Sequence, residues 1–531
     1  MKKQKLNFGE SYAVKKKISK IKAQLIYQPN NFKLHNDIAG LYFEVKDYDK
    51  CINHYEKCLT IHRNSITLSN LGLANQLSLR FQIAVDLFQE SINEDPDYYP
   101  AYINLGNILG SLGLHEDLLR CSLNALSRWP NNAELHCNIG VALMGLGRHK
   151  EARFSMETAL LLDPKSVDAL VNIASIEAFE KNHVKAIEIY ESLLENPKLL
   201  NEARFVQIKH ALGFEYLNLG RLKDGWNNYE YGFSPLIPHQ IKRNPSRNFN
   251  VPRWAGEPLE NQVLLIWGEQ GIGDEILFSS IFNDLSAQVN NIIIECEPRL
   301  VSIFERSFPK FKIRESSFDQ LNHNNQKYFD YDFQIPMGSL AALYRNSLEK
   351  FENSCNVYLK SNPEKDMHFS KLLENTHGKL KVGITWRSGL LNALRNLHYA
   401  NILDWNEIFA LDNIDFVNLQ WGDCEEEIKL AENKFGIKIH RWPDVDLKND
   451  LDDVLSIIKN VDLVIAPCTA AAWLSASIGK PTLVFQQRDW INFGQDYFPF
   501  NSNVISFFPI DSQPVASTFP MIRKYISDNF K

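Results

Sequence analysis

A proline recurs at Pro96, Pro130 and Pro164, 34 residues apart each time. No other feature of the chain limits its fold as strongly. On this register small residues align at Gly72, Gly106, Gly140 and Ala174. A second register carries Ala84, Leu118, Ala152 and Ala186, with large side chains four residues later at Phe88, Met156 and Tyr190. A fixed period of this length implies stacked helical hairpins, none of which can bury its apolar face alone. The small residues let paired helices approach, and the large ones fill the gap to the next pair. Proline ends the second helix, because it lacks an N–H and clashes with the preceding turn.

The pattern resembles the tetratricopeptide repeat. Units fall at about 32–64, 65–98, 99–132, 133–166, 167–200 and 206–239, forming a superhelix over residues 31–240. A basic segment at 1–30 precedes it, with a lone capping helix over 13–29. The first helix of each pair lines the concave surface of such a stack. Asn70, Asn104, Asn138 and Asn172 recur at the same spacing, each two residues before the small packing residue. A row of amides can donate to and accept from a peptide backbone with little sequence preference. The row resembles the asparagine ladder of the O-linked N-acetylglucosamine transferases, which implies acceptor-peptide binding at these four positions. Asn is also common at this repeat position in proteins that glycosylate nothing.

The chain of 531 residues is too long for one core. Its net charge of −7 argues against a general nucleic-acid binder. Lys2, Lys3, Lys5, Lys15, Lys16, Lys17, Lys20 and Lys22 form a basic exception. They read as a solvated face or as a contact for a membrane surface or acidic partner. Residues 1–30 hold no apolar signal-peptide stretch, and no run of about 18 apolar residues exists to span a membrane. The eight cysteines are scattered without a Cys-x-x-Cys pair, so zinc and disulfide frameworks are not indicated. Reduced cysteines fit a cytoplasmic location.

Residues 241–260 are polar and turn-rich and read as a linker. Beyond it, short apolar runs at 262–267, 291–296, 310–314 and 331–336 alternate with helical stretches. A second series follows at 380–385, 413–419, 436–440, 461–466, 481–485 and 503–507. Buried strands alternating with helices imply parallel sheets. We expect two doubly wound, Rossmann-like domains at 261–377 and 378–512 facing a cleft, with a closing helix at 513–531.

Ligands in such sheets sit at the carboxyl ends of strands, which selects four loops. Gly268–Asp274 is neither a Walker loop nor a dinucleotide fingerprint, since Ile276 stands where the third glycine belongs. Gly271 and Gly273 make a tight turn, and Asp274 there is either a helix cap or a carboxylate able to take a proton from a hydroxyl. Arg387 and Ser388 follow the strand at 380–385, where Arg387 reads as a diphosphate ligand or a surface ion pair. Thr469 and Ala470 open a helix after 461–466, offering free N–H groups to an anion or simple capping. Arg488 follows 481–485 and reads equally as a phosphate ligand or a structural residue. Asp330-Tyr331-Asp332 and Asp444-Val445-Asp446 are Asp-x-Asp triplets, but neither context suggests a metal site.

From Trp254 to about Phe500 the chain resembles bacterial tetratricopeptide-fused glycosyltransferases of the GT-B fold, relatives of the ADP-heptose heptosyltransferases. The motifs are Gly268-Glu-Gln-Gly-Ile-Gly-Asp274, Val382-Gly-Ile-Thr-Trp-Arg-Ser-Gly389, Asn418-Leu-Gln-Trp-Gly422, Asp462-Leu-Val-Ile465 and Gly479-Lys-Pro481. The resemblance implies an inverting, metal-independent glycosyltransferase without a cofactor. Asp274 would be its catalytic base, and the loops carrying Arg387 and Thr469 would face a nucleotide-sugar co-substrate. The acceptor would be a Ser or Thr hydroxyl of a protein docked on the repeats, such as flagellin or another surface protein. Alternatives are a transferase of lipopolysaccharide or polysaccharide synthesis whose repeats recruit a partner, and a non-catalytic scaffold. Cys468 and Trp473 depart from the Asp and His that the family carries there.

Overall fold

The computed structural model describes residues 8–237, 242–245, 247–285, 289–316, 330–352, 354–374, 380–389, 395–510 and 513–530. Lys2, Lys3 and Lys5 of the basic segment lie outside the described residues. The chain divides into two compact units, Met1–Glu180 and Lys181–Lys531.

The first unit is entirely helical among its described residues. It comprises α1 (Phe8–Tyr27), α2 (Phe32–Glu44), α3 (Tyr48–Ile61), α4 (Ser65–Leu77), α5 (Phe81–Glu94), α6 (Tyr99–Ser111), α7 (His115–Arg128), α8 (Ala133–Gly145), α9 (His149–Leu162) and α10 (Val167–Phe179). Helices α2, α4, α8 and α10 are capped by Asn31, Asn64, Asn132 and Ser166, whose side chains accept an N–H three residues on. The small–large register does what the spacing predicts. A methyl group on Gly72 would lie 2.7 Å from the Phe88 ring, and one on Gly140 would lie 2.5 Å from Met156 Cε. Phe88, Met156 and Ala174 are fully buried. This is a tetratricopeptide solenoid, which α11 (His183–Leu194) continues in sequence.

The second unit begins with α11, α12 (Glu202–Asn218) and α13 (Leu222–Tyr229) and continues into two parallel sheets. The four-stranded sheet uses β1 (Leu259–Trp267), β2 (Val289–Cys296), β3 (Lys312–Glu315) and β4 (Phe333–Pro336) in the order β3-β2-β1-β4. The six-stranded sheet uses β5 (Leu380–Ile384), β6 (Ile414–Asn418), β7 (Ile439–His440), β8 (Leu463–Ala466), β9 (Thr482–Phe485) and β10 (Val504–Phe507) in the order β10-β9-β8-β5-β6-β7. Every strand pairing is parallel. All ten sequence runs therefore correspond to strands, displaced by a few residues at their ends.

One apolar core runs from Trp226 and Tyr229 of α13, through Leu264 and Ile266 of β1, to Trp473 and Phe500. The α12–α13 pair is thus bound into the sheets by burial of large aromatic surface, the dominant favourable term in such packing. Trp226 also donates its Nε1–H to the Arg345 carbonyl at 2.8 Å. A second core, around Trp405, Phe416 and Phe485, fills the six-stranded half.

Candidate functional site

Strand order reverses between β1 and β4 in one sheet and between β5 and β8 in the other. The crevice of a doubly wound sheet opens at such a switch point, beyond the strand ends. The loop after β1 carries Gly271, Gly273 and Asp274, that after β5 carries Arg387 and Ser388, and that after β8 carries Thr469 and Ala470.

The first and third of these loops meet. A methyl group on Gly273 would lie 3.5 Å from Trp473 Cδ1 and 3.7 Å from the Ala470 nitrogen. The start of the helix Ile272–Phe278 therefore faces the start of the helix Ala470–Ser477 at van der Waals distance. Trp473 is buried and stacks on Phe498 at 4.6 Å. Thr469 sits at the N-cap without capping. Its hydroxyl donates to the Pro467 carbonyl at 3.3 Å, so the first N–H groups of that helix have no side-chain cap. Such groups carry partial positive charge and suit an anion.

Asp274 is half-buried, and its Oδ2 accepts the Gly271 N–H at 3.1 Å. It is thus a helix-capping side chain, and its chemistry does not end there. Loss of water around the carboxylate pushes its pKa up to about 6, against the Gly271 hydrogen bond, with Glu269 adding to the rise. A carboxylate at that value is ionised at neutral pH and a stronger base than an ordinary Asp, as proton abstraction from a hydroxyl requires.

The loop that holds Asp274 is fixed by a network that the sequence did not announce. Arg243 is 0 % exposed. Its guanidinium meets both Glu269 oxygens, Glu230 at 3.2 Å and Ser339 Oγ at 3.2 Å. It lies over the rings of Tyr229 and Phe233 at 4.0 and 4.1 Å. Glu269 Oε1 also accepts the Gly338 N–H at 3.0 Å, and Gln270 donates its N–H to the Asn244 carbonyl at 2.5 Å. Gln270 itself sits in the left-handed region at φ 64°. The strained turn before Asp274 is thus held by α13, by the segment after it and by the loop after β4. That segment reads in sequence as a featureless linker, which is why Arg243 was not identified.

Arg387 and Arg488 are engaged within the protein. Arg387 pairs with Glu427 at 2.9 Å and donates to the Asp423 carbonyl at 3.0 Å. Arg488 pairs with Asp496 and lies over Phe508 at 4.4 Å. The loop after β5 is organised from below by Gln420. Its Oε1 accepts from Thr385 Oγ1 at 2.9 Å, from the Trp386 N–H at 3.1 Å and from the Arg387 N–H at 3.0 Å. Ser388 is half-buried in the same loop.

Beside that loop lies a cavity of about 1110 Å³ at the carboxyl ends of β6 and β7. Gln420, Trp421, Lys438, Trp442, Asp444 and Lys448 are among its walls. Trp421 closes against the β5 loop, because a side chain on Gly389 would overlap its ring. Lys448 Nζ lies 5.6 Å over the same ring. The motif Asn418–Gly422 signalled this place in sequence, whereas the lining from Lys438 to Lys448 offered only the Asp444-Val445-Asp446 triplet.

The Asp-x-Asp triplets have other partners. Asp330 pairs with Lys312 and Arg314, and Asp332 accepts the Val263 N–H. Asp446 accepts from the Lys448 and Asn449 N–H groups. Among the described residues no cluster of three His, Cys, Asp or Glu side chains could hold a metal ion.

Asn70, Asn104, Asn138 and Asn172 are all half-buried in the first helices of their pairs. Asn104 Nδ2 donates to Ser69 Oγ of the preceding pair at 3.1 Å, so one amide of the row is engaged within the solenoid. Asn138 Nδ2 is buried without a hydrogen-bond partner among the described residues. It lies 3.0 Å from where Gly106 would carry a methyl, so that glycine makes room for the amide.

Family models support the repeats directly. Tetratricopeptide-repeat models match residues 32–65 and 133–166. The chain is 28% identical to the protein FlbA of Caulobacter vibrioides over 476 residues, covering 87% of this chain and 78% of that one. It is 28% identical to the Hsp70-Hsp90 organizing protein of Triticum aestivum over 171 residues, covering 32% of this chain and 28% of that one. Among solved structures, the MamA protein matches at 24% identity and a TM-score of 0.28, covering 29% of this chain and 85% of that one. Among the described residues no helix is long and apolar enough to cross a membrane.

Proposed function

We propose that the chain is a glycosyltransferase of GT-B type that moves a sugar from a nucleotide donor to a Ser or Thr hydroxyl of a protein held on its repeats. The observation that carries this reading is the setting of Asp274. It is a half-buried carboxylate with its pKa raised to about 6, at a switch-point loop and beside the uncapped N-terminus of Ala470–Ser477. In this reading Asp274 takes the proton of the acceptor hydroxyl as the oxygen attacks the anomeric carbon. The carbon–phosphate oxygen bond breaks, and the departing phosphate charge is met by the N–H groups after Thr469. The donor nucleoside fills the cavity beside Gln420. Its volume suits a nucleotide-sized ligand, its two indoles suit a planar base and its carboxylates suit ribose hydroxyls. Docking on the solenoid raises the acceptor's effective concentration at the base. Flagellin or another surface protein is the acceptor class that the sequence resemblance suggests.

The test is sugar transfer from a panel of nucleotide sugars to acceptor protein, read by intact mass, in wild type and Asp274→Asn. This reading expects the variant to keep its fold and lose at least about 100-fold in rate. Near-normal transfer by the variant would remove Asp274 from the role.

A second reading, a protein-binding scaffold whose sheet half no longer transfers anything, has an observation of its own. Arg387 and Arg488 are both neutralised by internal carboxylates, and Trp473 fills space that a catalytic side chain could occupy. That reading expects no nucleotide binding at all.

A further inference from the structure

Helix α1 presents a face that sugar transfer does not use. Val14 and Ile18 are buried against α2, with Ile21 and Leu25 partly buried beside them. At 3.6 residues per turn these four form one stripe. Lys15, Lys16, Lys17 and Lys20 are exposed on the helix surface outside that stripe, and Lys22, also exposed, holds its Nζ 5.7 Å over the Tyr42 ring of α2. The chain as a whole carries a net charge of −7, so this concentration of positive charge is set apart from the rest. One turn further on, Ile26 and Tyr27 are 76 % and 86 % exposed. Helical geometry puts both on the lysine side, away from the packed stripe.

We propose that α1 is a peripheral docking surface for an anionic lipid bilayer. A bilayer presents distributed negative charge in a plane, and flexible four-carbon lysine stems can bring the ammonium groups of Lys15, Lys16, Lys17 and Lys20 toward one plane. Attraction acts within a Debye length of about 8–10 Å, and each lysine near such a surface adds roughly 5-fold to partitioning. Ile26 and Tyr27 supply what charge alone does not, apolar side chains that enter the headgroup boundary at the end of the same face. An acidic peptide would pair with some of the lysines but would leave Ile26 and Tyr27 in water. The contact lies on the surface, since no described helix is long and apolar enough to cross a bilayer. The proposal does not depend on the sugar-transfer reading, which assigns no role to α1.

The experiment is co-sedimentation of the full chain with phosphatidylglycerol–phosphatidylcholine vesicles and with pure phosphatidylcholine vesicles, at about 0.1 M salt. Binding to the anionic vesicles only, reversed by high salt, is the expected result. The combined variant Lys15→Glu, Lys16→Glu, Lys17→Glu and Lys20→Glu should lose it by more than about 100-fold. Circular dichroism and melting should be unchanged, because Val14 and Ile18 are intact. Ile26→Ser with Tyr27→Ser should weaken binding several-fold while leaving its salt dependence in place. Unchanged binding by either variant overturns the proposal. So does binding to polyglutamate without binding to anionic vesicles, which would assign the face to an acidic polypeptide.

Discussion

The helical unit and the sheet-bearing unit solve the same problem by different means. In the helical unit each close approach is made by neighbours in sequence: Gly72 with Phe88, Gly140 with Met156, Asn104 with Ser69. In the sheet-bearing unit the loop that holds Asp274 is fixed by Glu230, Arg243, Glu269 and Ser339, which are drawn from distant segments. Local, periodic packing tolerates adjustment at one pair without moving the rest. A buried ion network does not, since removing one partner strands a charge.

The largest test of that difference is Arg243→Met. It leaves Glu269 buried without its cation and should cost about 3–5 kcal/mol. Urea denaturation followed by tryptophan fluorescence should show the sheet-bearing transition moving to lower urea, while the helical transition stays put. Equal movement of both would show that the units unfold as one.

A smaller effect concerns Glu275, buried beside the same loop with its pKa pushed up to about 8 by loss of water, against the Glu297 N–H bond. The folded protein holds this proton more tightly than the unfolded chain. Its contribution to stability is therefore full below about pH 4.5 and is lost as pH rises toward 8. Asp274 adds the same sign between its ordinary value and about 6. Glu275→Gln should flatten the fall in stability across that window and stabilise the protein by about 2–3 kcal/mol near pH 8. A melting temperature with the same pH slope in both proteins would refute the assignment.

The smallest effect is a paired one. A methyl on Gly213 would meet the Tyr229 backbone nitrogen at 2.8 Å, whereas one on Gly140 meets the flexible end of Met156. Gly213→Ala should destabilise by about 1–3 kcal/mol through overpacking. Gly140→Ala should be within about 1 kcal/mol of neutral, because Met156 can turn aside and alanine favours the helix.

The same contrast governs what could be read from sequence. Repeats and strands announce themselves through period and alternation, so the solenoid and all ten strand runs were legible, as was the turn carrying Asp274. Arg243 was not, because a side chain in a turn-rich segment shows nothing of the buried carboxylates it will meet. Arg387 and Thr469 stand out in sequence by their places after strands, but Glu427, which pairs with that arginine 40 residues on, and the Pro467 carbonyl, which takes the threonine hydroxyl, become visible only in three dimensions. The cavity walls from Lys438 to Lys448 escaped because pocket shape arises from the packing of β6, β7 and the loops between them, and no local pattern encodes it.

The most direct measurement is calorimetric titration of the full chain with UDP, GDP, ADP and CMP, repeated on Trp421→Ala. The sugar-transfer account predicts saturable binding of one of these nucleotides, weakened at least about 10-fold when the indole is removed. Absence of binding by all four would contradict it and leave the scaffold reading standing.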